Sequence, residues 1–368
     1  MTQHVTSLIE ELERSLVYGT TDQRMQALWR VTDLFVVGAS RYNTEQIGLF
    51  DEVIGKLATA IEGKARAKLA TRLAVVPNVP GNLMQTLVFD DDIEVARPVL
   101  SLSDRLDDGQ LITTARTKSQ QHLHAIAQRG SLSEAVTDVL VTRGDRQVVH
   151  SVTRNRGARF SDAGFRMLVK RTNGDDLLAA EVGMRADLPR QHFLTLLEQA
   201  SANVRARLAA ENPGAEGAVE GVLDDVVGMI SSENRNASAD YTAAKAQVEA
   251  MHRSGQLGEV AVHGFARERK FEETAVALSL LCGVGIDVVE RALLDPGHEV
   301  LLILAKIANL SSTTAKAILL LRAADRGMSA QDLDQALTSY SRLGPETARR
   351  VLTFYNTRVK RPSQAAAG

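Results

Sequence analysis

At 368 residues, with 44% hydrophobic and 24% charged side chains, the chain is globular in composition and has ample material for a core. Aromatic residues make up only 4%, which suits closely packed helices better than a β-sandwich. A formal net charge of −2 argues against a dedicated nucleic-acid binder, the single Cys282 excludes an intramolecular disulfide, and no apolar run reaches the ~18 residues a membrane span needs.

The chain opens Met1-Thr2-Gln3-His4-Val5 and runs straight into a charged amphipathic segment with no signal pattern, so a cytoplasmic protein is expected. Thr20 with Gln23 three residues on reads as a capping box. The helix behind it places Leu28, Val31, Thr32 and Phe35 on one face, and Ile54, Leu57, Ala58 and Ile61 form a second stripe. Trp29 stands beside the first stripe and reads as core or near-core, a binding role being the alternative.

From Leu69 to Ala200 one short helical pattern returns five times. Its first helix carries apolar residues at i and i+4: Leu69 with Leu73, Val95 with Val99, Leu123 with Ala127, Val148 with Val152, and Leu178 with Val182. Turns follow at Asn78-Val79-Pro80, Asp107-Asp108-Gly109, Gly130-Ser131, Asn155-Arg156-Gly157 and Asp187-Leu188-Pro189, where Gly and Asn tolerate the left-handed conformation and Pro cannot continue a helix. A second helix then brings an anchor: Met84, Leu111, Val136, Phe165 and Phe193, spaced 25 to 29 residues apart. Two helices per unit at such a period are the signature of a solenoid, in which stacked neighbours share a core that one unit cannot build alone. The alternative is an ordinary helical bundle with chance spacing.

The array ends near 205–210. Glu211-Asn212-Pro213-Gly214-Ala215-Glu216-Gly217 is the best linker in the chain and sets the expected domains at 1–212 and 213–368. A helix is expected from Val219 to Ile230, with a weak point at Ser231–Ser238. Beyond it Leu301, Leu304, Ala305 and Ala308 form one stripe. Leu333, Ala336, Leu337 and Tyr340 form another, capped by Ser329 with Asp332; Ala348, Val351, Leu352 and Tyr355 form the last. Pro362 to Gly368 should be disordered.

The strongest local feature is electrostatic. Between Arg143 and Arg171 stand eight basic residues (Arg143, Arg146, Arg154, Arg156, Arg159, Arg166, Lys170 and Arg171) against two acidic ones, Asp145 and Asp162. Side chains at successive turns would line one edge of the stack, where they could receive an acidic protein surface, a phosphate or a nucleic-acid backbone. The plainer explanation is a solvated face balanced by acidic residues of neighbouring repeats. Nucleic-acid binding also wants exposed aromatics, and only Phe160 and Phe165 are near. His122 and His124, at i and i+2, point to different faces of a helix and make a poor metal pair. Asp90-Asp91-Asp92 and Asp107-Asp108 sit at helix starts and turns, where carboxylates accept free amide hydrogens. Calcium-loop, phosphate-loop and dinucleotide patterns are absent, so no metal or cofactor is expected. Cys282, within an apolar run, reads as a small buried hydrophobe.

Several stretches also carry a resemblance. Val95-Ala96-Arg97-Pro98-Val99-Leu100, Leu111-Ile112, His122, Ala125-Ile126-Ala127 and Val136-Thr137-Asp138, continued by Asn155, Gly157-Ala158, Ser161 and Gly164-Phe165, resemble a bacterial family catalogued only as domain of unknown function 2336. Asp287-Val288-Val289-Glu290-Arg291-Ala292 and Glu346-Thr347-Ala348-Arg349-Arg350-Val351-Leu352 extend it toward the C-terminus. The resemblance implies HEAT-like helical repeats and a bacterial, largely alphaproteobacterial, origin, and carries over no catalytic residue. The expectation is therefore an all-α protein, an α-solenoid of short HEAT-like repeats followed by a second helical domain. It would act as a non-enzymatic scaffold for a protein partner with an acidic surface, with nucleic-acid binding through the basic edge as the alternative. The low net charge and apolar final helices would allow a homodimer.

Overall fold

The computed structural model describes residues 20–211, 216–295, 297–326 and 328–359, without the side chains of 208–221, 322–327 and 354–359. Among the described residues the protein is all-α, with 21 helices and no strand. The chain divides between Arg185 and Ala186 into two compact units.

The first unit contains α1 (Thr21–Gly38), α2 (Thr44–Thr59), α3 (Gly63–Leu73), α4 (Gly81–Val88), α5 (Ile93–Leu102) and α6 (Asp108–Thr117). It continues with α7 (Gln120–Ala127), α8 (Glu134–Arg143), α9 (Arg146–Arg154), α10 (Asp162–Arg171) and α11 (Asp176–Gly183). Odd-numbered helices pack on one another in a row, α3 on α5, α5 on α7, α7 on α9 and α9 on α11. The even ones form a second row, with α2 on α4, α6 on α8 and α8 on α10. Every i, i+4 pair read from the sequence is buried in the first row, as are Met84, Leu111, Val136 and Phe165 in the second. Helices of eight to eleven residues are too short to hold together alone in water, so this shared burial is what keeps them folded.

Local chemistry fixes where each helix begins. Thr20 and Gln23 form the expected capping box, and Asn43 with Gln46 and Asp107 with Gln110 form two more. Asp92, Ser133, Asp145, Ser161 and Asp175 each accept a backbone N–H from the turn they open. Asp107-Asp108-Gly109 is thus a helix start rather than a turn. Asn78 adopts the left-handed conformation expected of it (φ 60°), but Asn155 does not. Its side-chain amide instead donates to Ala127 O and Arg129 O of the preceding repeat, at 2.9 and 2.7 Å. Beside it, Leu132 N–H donates to Gly157 O and Arg159 N–H donates to Leu132 O, joining the two loops.

The second unit holds α12 (Arg190–Glu211), α13 (Glu216–Ala237), α14 (Ala239–Arg253), α15 (Glu259–Arg267) and α16 (Phe271–Cys282). It ends with α17 (Ile286–Leu294), α18 (Glu299–Ile307), α19 (Ser312–Arg326), α20 (Ala330–Arg342) and α21 (Pro345–Val359). Helix α16 is the centre: Ala275, Ala277 and Leu278 are fully buried, and α14, α15, α17 and α18 all pack on it. Leu301, Leu304, Ala305, Ala336, Tyr340, Ala348 and Leu352 turn inward as their spacing requires, and Ser329 caps α20. Val351, expected in the last stripe, is exposed.

Two boundaries differ from expectation. The linker at 212/213 lies outside the described residues, and the division between compact units falls at Arg185/Ala186 instead. The reason is α12, whose Leu194 joins the core of the second unit and whose Arg190 is buried there against Glu272 and Glu290. Phe193 is consequently no repeat anchor; it is half-buried in the second unit. The weak point at Ser231–Ser238 is helical to Ala237, because the buried Arg235 in that last stretch pairs with Asp287 and Glu290 of α17. The tail from Pro362 lies outside the described residues.

Candidate functional site

The basic group of the first unit divides by what each side chain touches. Arg143, at the end of α8, donates through Nη1 to Ala115 O and Lys118 O, both at 2.6 Å. Arg171, at the end of α10, donates to Gly144 O at 2.6 Å and Thr142 O at 3.0 Å. Both reach the unpaired carbonyls at the C-terminus of the helix one place earlier in the same row, where the helix dipole also favours positive charge. Arg129 does the same for Leu100 O and Ser103 O, and Arg185 for Thr153 O, Asn155 O and Ala158 O. With Asn155 these residues make a ladder whose rungs reach 25 to 32 residues back along the chain. Arg129 and Arg185 were not singled out in the sequence; their spacing from Asn155 and from each other is the signal that would have found them.

A second device joins α9 to α11. Arg146, His150 and Arg154 lie four apart on one face of α9. Arg146 forms a bidentate pair with Asp175 at 2.7 and 3.0 Å, and Arg154 meets Glu181 at 3.2 Å. Between them the buried His150 ring faces Glu181 through Nδ1 at 2.6 Å and Asp175 through Nε2 at 3.0 Å. The hydrogen bond from Arg146 leads in holding the Asp175 carboxyl down, at about 2. Here the neighbouring repeat supplies the balancing acids.

Of the eight candidates, Arg166 pairs with Asp162 one turn away at 2.5 Å. Arg156 and Arg159, in the α9–α10 loop, and Lys170, on α10, are exposed and make no side-chain hydrogen bond or ion pair among the described residues. Phe160 and Phe165 are buried with their rings 5.3 Å apart, and the Arg185 guanidinium lies 4.5 Å over Phe160. Neither offers a free face to a base, which removes the stacking platform that nucleic-acid binding through this edge would use.

The second unit buries a polar network that sequence inspection also missed. Glu290 accepts from Arg190 at 2.6 Å and from Arg235 at 3.1 Å, Glu272 meets Arg190 at 3.3 Å, and Tyr241 lies beneath both guanidinium groups. Burial pushes the Glu272 carboxyl up to about 7. A carboxyl poised near neutrality can mark an acid–base site. This one, however, is held by Arg190 among packed side chains and does not line the adjoining cleft of about 290 Å³ between α12, α13 and α17. A charged cluster tied together in this way orders three helices, α12, α13 and α17, around one carboxylate, Glu290.

The remaining candidates are placed simply. His122 is buried, with Nδ1 on Ser119 Oγ at 2.8 Å and Nε2 on Asp90 O at 3.0 Å. Asp92 caps α5, Asp90 pairs with Arg66 and Asp91 with Lys118. Trp29 is half-buried under the Arg72 guanidinium at 5.6 Å. Cys282 donates its thiol to Leu304 O, and burial pushes that thiol up to about 12, far from a nucleophile. No helix among the described residues is long and apolar enough to cross a membrane.

Neither the curated proteins nor the solved structures gave a match to this chain. The family model described as an uncharacterised protein conserved in bacteria (DUF2336) matches residues 95–353, from α5 of the first unit to α21 of the second. With well over half of its length inside that match, the chain belongs to this bacterial family.

Proposed function

We propose that the protein is a non-enzymatic interaction module of the bacterial cytoplasm, in which a HEAT-like repeat array joined to a second helical domain holds a protein partner with an acidic surface. One observation carries the reading: among the described residues Arg156, Arg159 and Lys170 stand exposed with no side-chain hydrogen bond or ion pair, while the cations around them are committed to carbonyls or carboxylates. Unpaired cations on a rigid, repeated frame recognise by charge and shape, without bond chemistry. Arg146 and Arg154 flank the contact but already serve the α9–α11 junction, so the partner surface is narrower than the full basic group.

The test is capture from a native bacterial lysate by the tagged protein, in nuclease-treated and untreated halves, beside a variant carrying R156E, R159E and K170E. An acidic protein retained by the parent in both halves, and lost from a variant that melts at the parent temperature, is the expected result. Equal capture by the variant would refute this surface, and retention that disappears with nuclease would make nucleic acid the ligand.

A further inference from the structure

In the second unit α15 and α19 pack along each other, and a cleft of about 380 Å³ opens between the end of α15 and the first turns of α19. Such a volume suits one small ligand. His263, Arg267 and Arg269 line it from the α15 side; Thr313, Lys316 and Leu320 line it from α19. Among the described residues no carboxylate lines it. Arg267, Arg269 and Lys316 are exposed and make no salt bridge or side-chain hydrogen bond among the described residues. Two described acids nearby each have another partner, although Glu268 also feels the Arg267 charge. Glu259 accepts from Ser311 N at 3.0 Å and Thr314 Oγ1 at 2.9 Å, and Glu268, beside Arg267, pairs with Lys270 at 2.7 Å.

One of these cations stands where the fold by itself would not put it. Arg269 ends α15 in the left-handed conformation, φ 58°, a position that glycine normally takes because a Cβ is strained there. Among the described residues the other non-glycine positions with positive φ, Asn78 and Asn309, are of the type that tolerates it. Lys316, in the second turn of α19, faces the same cleft. Arg267 and Arg269, at and just past the C-terminus of α15, are where the dipole welcomes a cation. Three exposed cations gathered on one cleft, one of them on a strained backbone, with apolar Leu320 half-exposed at its side, describe a site completed by a negatively charged ligand.

We propose that this cleft binds a small phosphate monoester, its dianionic group held by Arg267, Arg269 and Lys316 and its organic portion lying on Leu320. Guanidinium groups present paired donors to phosphate oxygens, while Lys316 adds a point charge and Thr313 a hydroxyl. The site is independent of the repeat edge in the first unit.

Calorimetric titration of the full chain with phenyl phosphate and with inorganic phosphate tests it. Phenyl phosphate should bind saturably and more tightly than inorganic phosphate. K316A and R267A should each weaken it about tenfold or more, the usual loss of one charge-assisted contact. R269G separates ligand recognition from folding: it should weaken binding similarly yet raise the thermal midpoint by about 2–4 °C, because glycine relieves the strain. Absence of saturable binding, indifference to K316A, or a single-stranded oligonucleotide that binds more tightly and displaces phenyl phosphate would each overturn the assignment.

Discussion

The division of the basic group into structural and free arginines predicts opposite outcomes for substitutions that look alike in sequence. Arg143→Ala and Arg171→Ala each remove two short hydrogen bonds from a charged donor to helix-terminal carbonyls. Hydrogen bonds of this kind contribute about 1.5–3 kcal/mol each when buried. These two are partly open to water, which can take over the carbonyls, so the net loss is about 1–2 kcal/mol per arginine. In a unit of this size each kcal/mol corresponds to roughly 2–4 °C. Arg156→Ala and Arg159→Ala remove no such contact and should stay within about 0.5 kcal/mol of the parent. Urea unfolding followed by circular dichroism measures the difference, and hydrogen exchange of the α8 and α10 amides locates it. Equal stability of all four variants, or a larger loss from Arg156→Ala than from Arg171→Ala, would refute the ladder as a stabilising device.

The α9–α11 junction should be sensitive to acid. The Asp175 carboxyl is depressed from 3.8 to about 2, so its contribution is present above pH 4 and is lost as pH falls through about 2; Asp175→Asn should flatten acid unfolding over that window. Glu272 has the opposite sign. Its carboxyl is raised from 4.5 to about 7, so stability is full below pH 4.5 and declines as pH rises through 7, and Glu272→Gln should remove that decline in melts taken between pH 4.5 and 8. Gly157→Ala would place a Cβ 1.9 Å from the Gly130 carbonyl oxygen, so the two loops must part. A loss of about 1–3 kcal/mol is expected in urea unfolding, with faster exchange at the Leu132 and Arg159 amides.

Most of what repeats within one helix or at its ends can be read from the chain alone. The i, i+4 pairs from Leu69–Leu73 to Leu178–Val182 are buried because a helix brings such residues to one face whatever surrounds it. The capping box at Thr20 and the cap at Ser329 hold for the same local reason. Helix type, repeat spacing and the family were therefore legible. The fate of the basic group was not, since it depends on residues in the next repeat: Asp175 and Glu181 reach Arg146, His150 and Arg154 only once α11 stacks on α9. The same holds for Arg190, which belongs to the second unit by its pairing with Glu290, 100 residues away. The cleft between α15 and α19 lies equally beyond periodicity, because its cations converge from segments some fifty residues apart. Charge counted along a chain says how many cations there are; only tertiary structure, by bringing acids and carbonyls within hydrogen-bond distance of some and not others, decides which remain free to hold a partner.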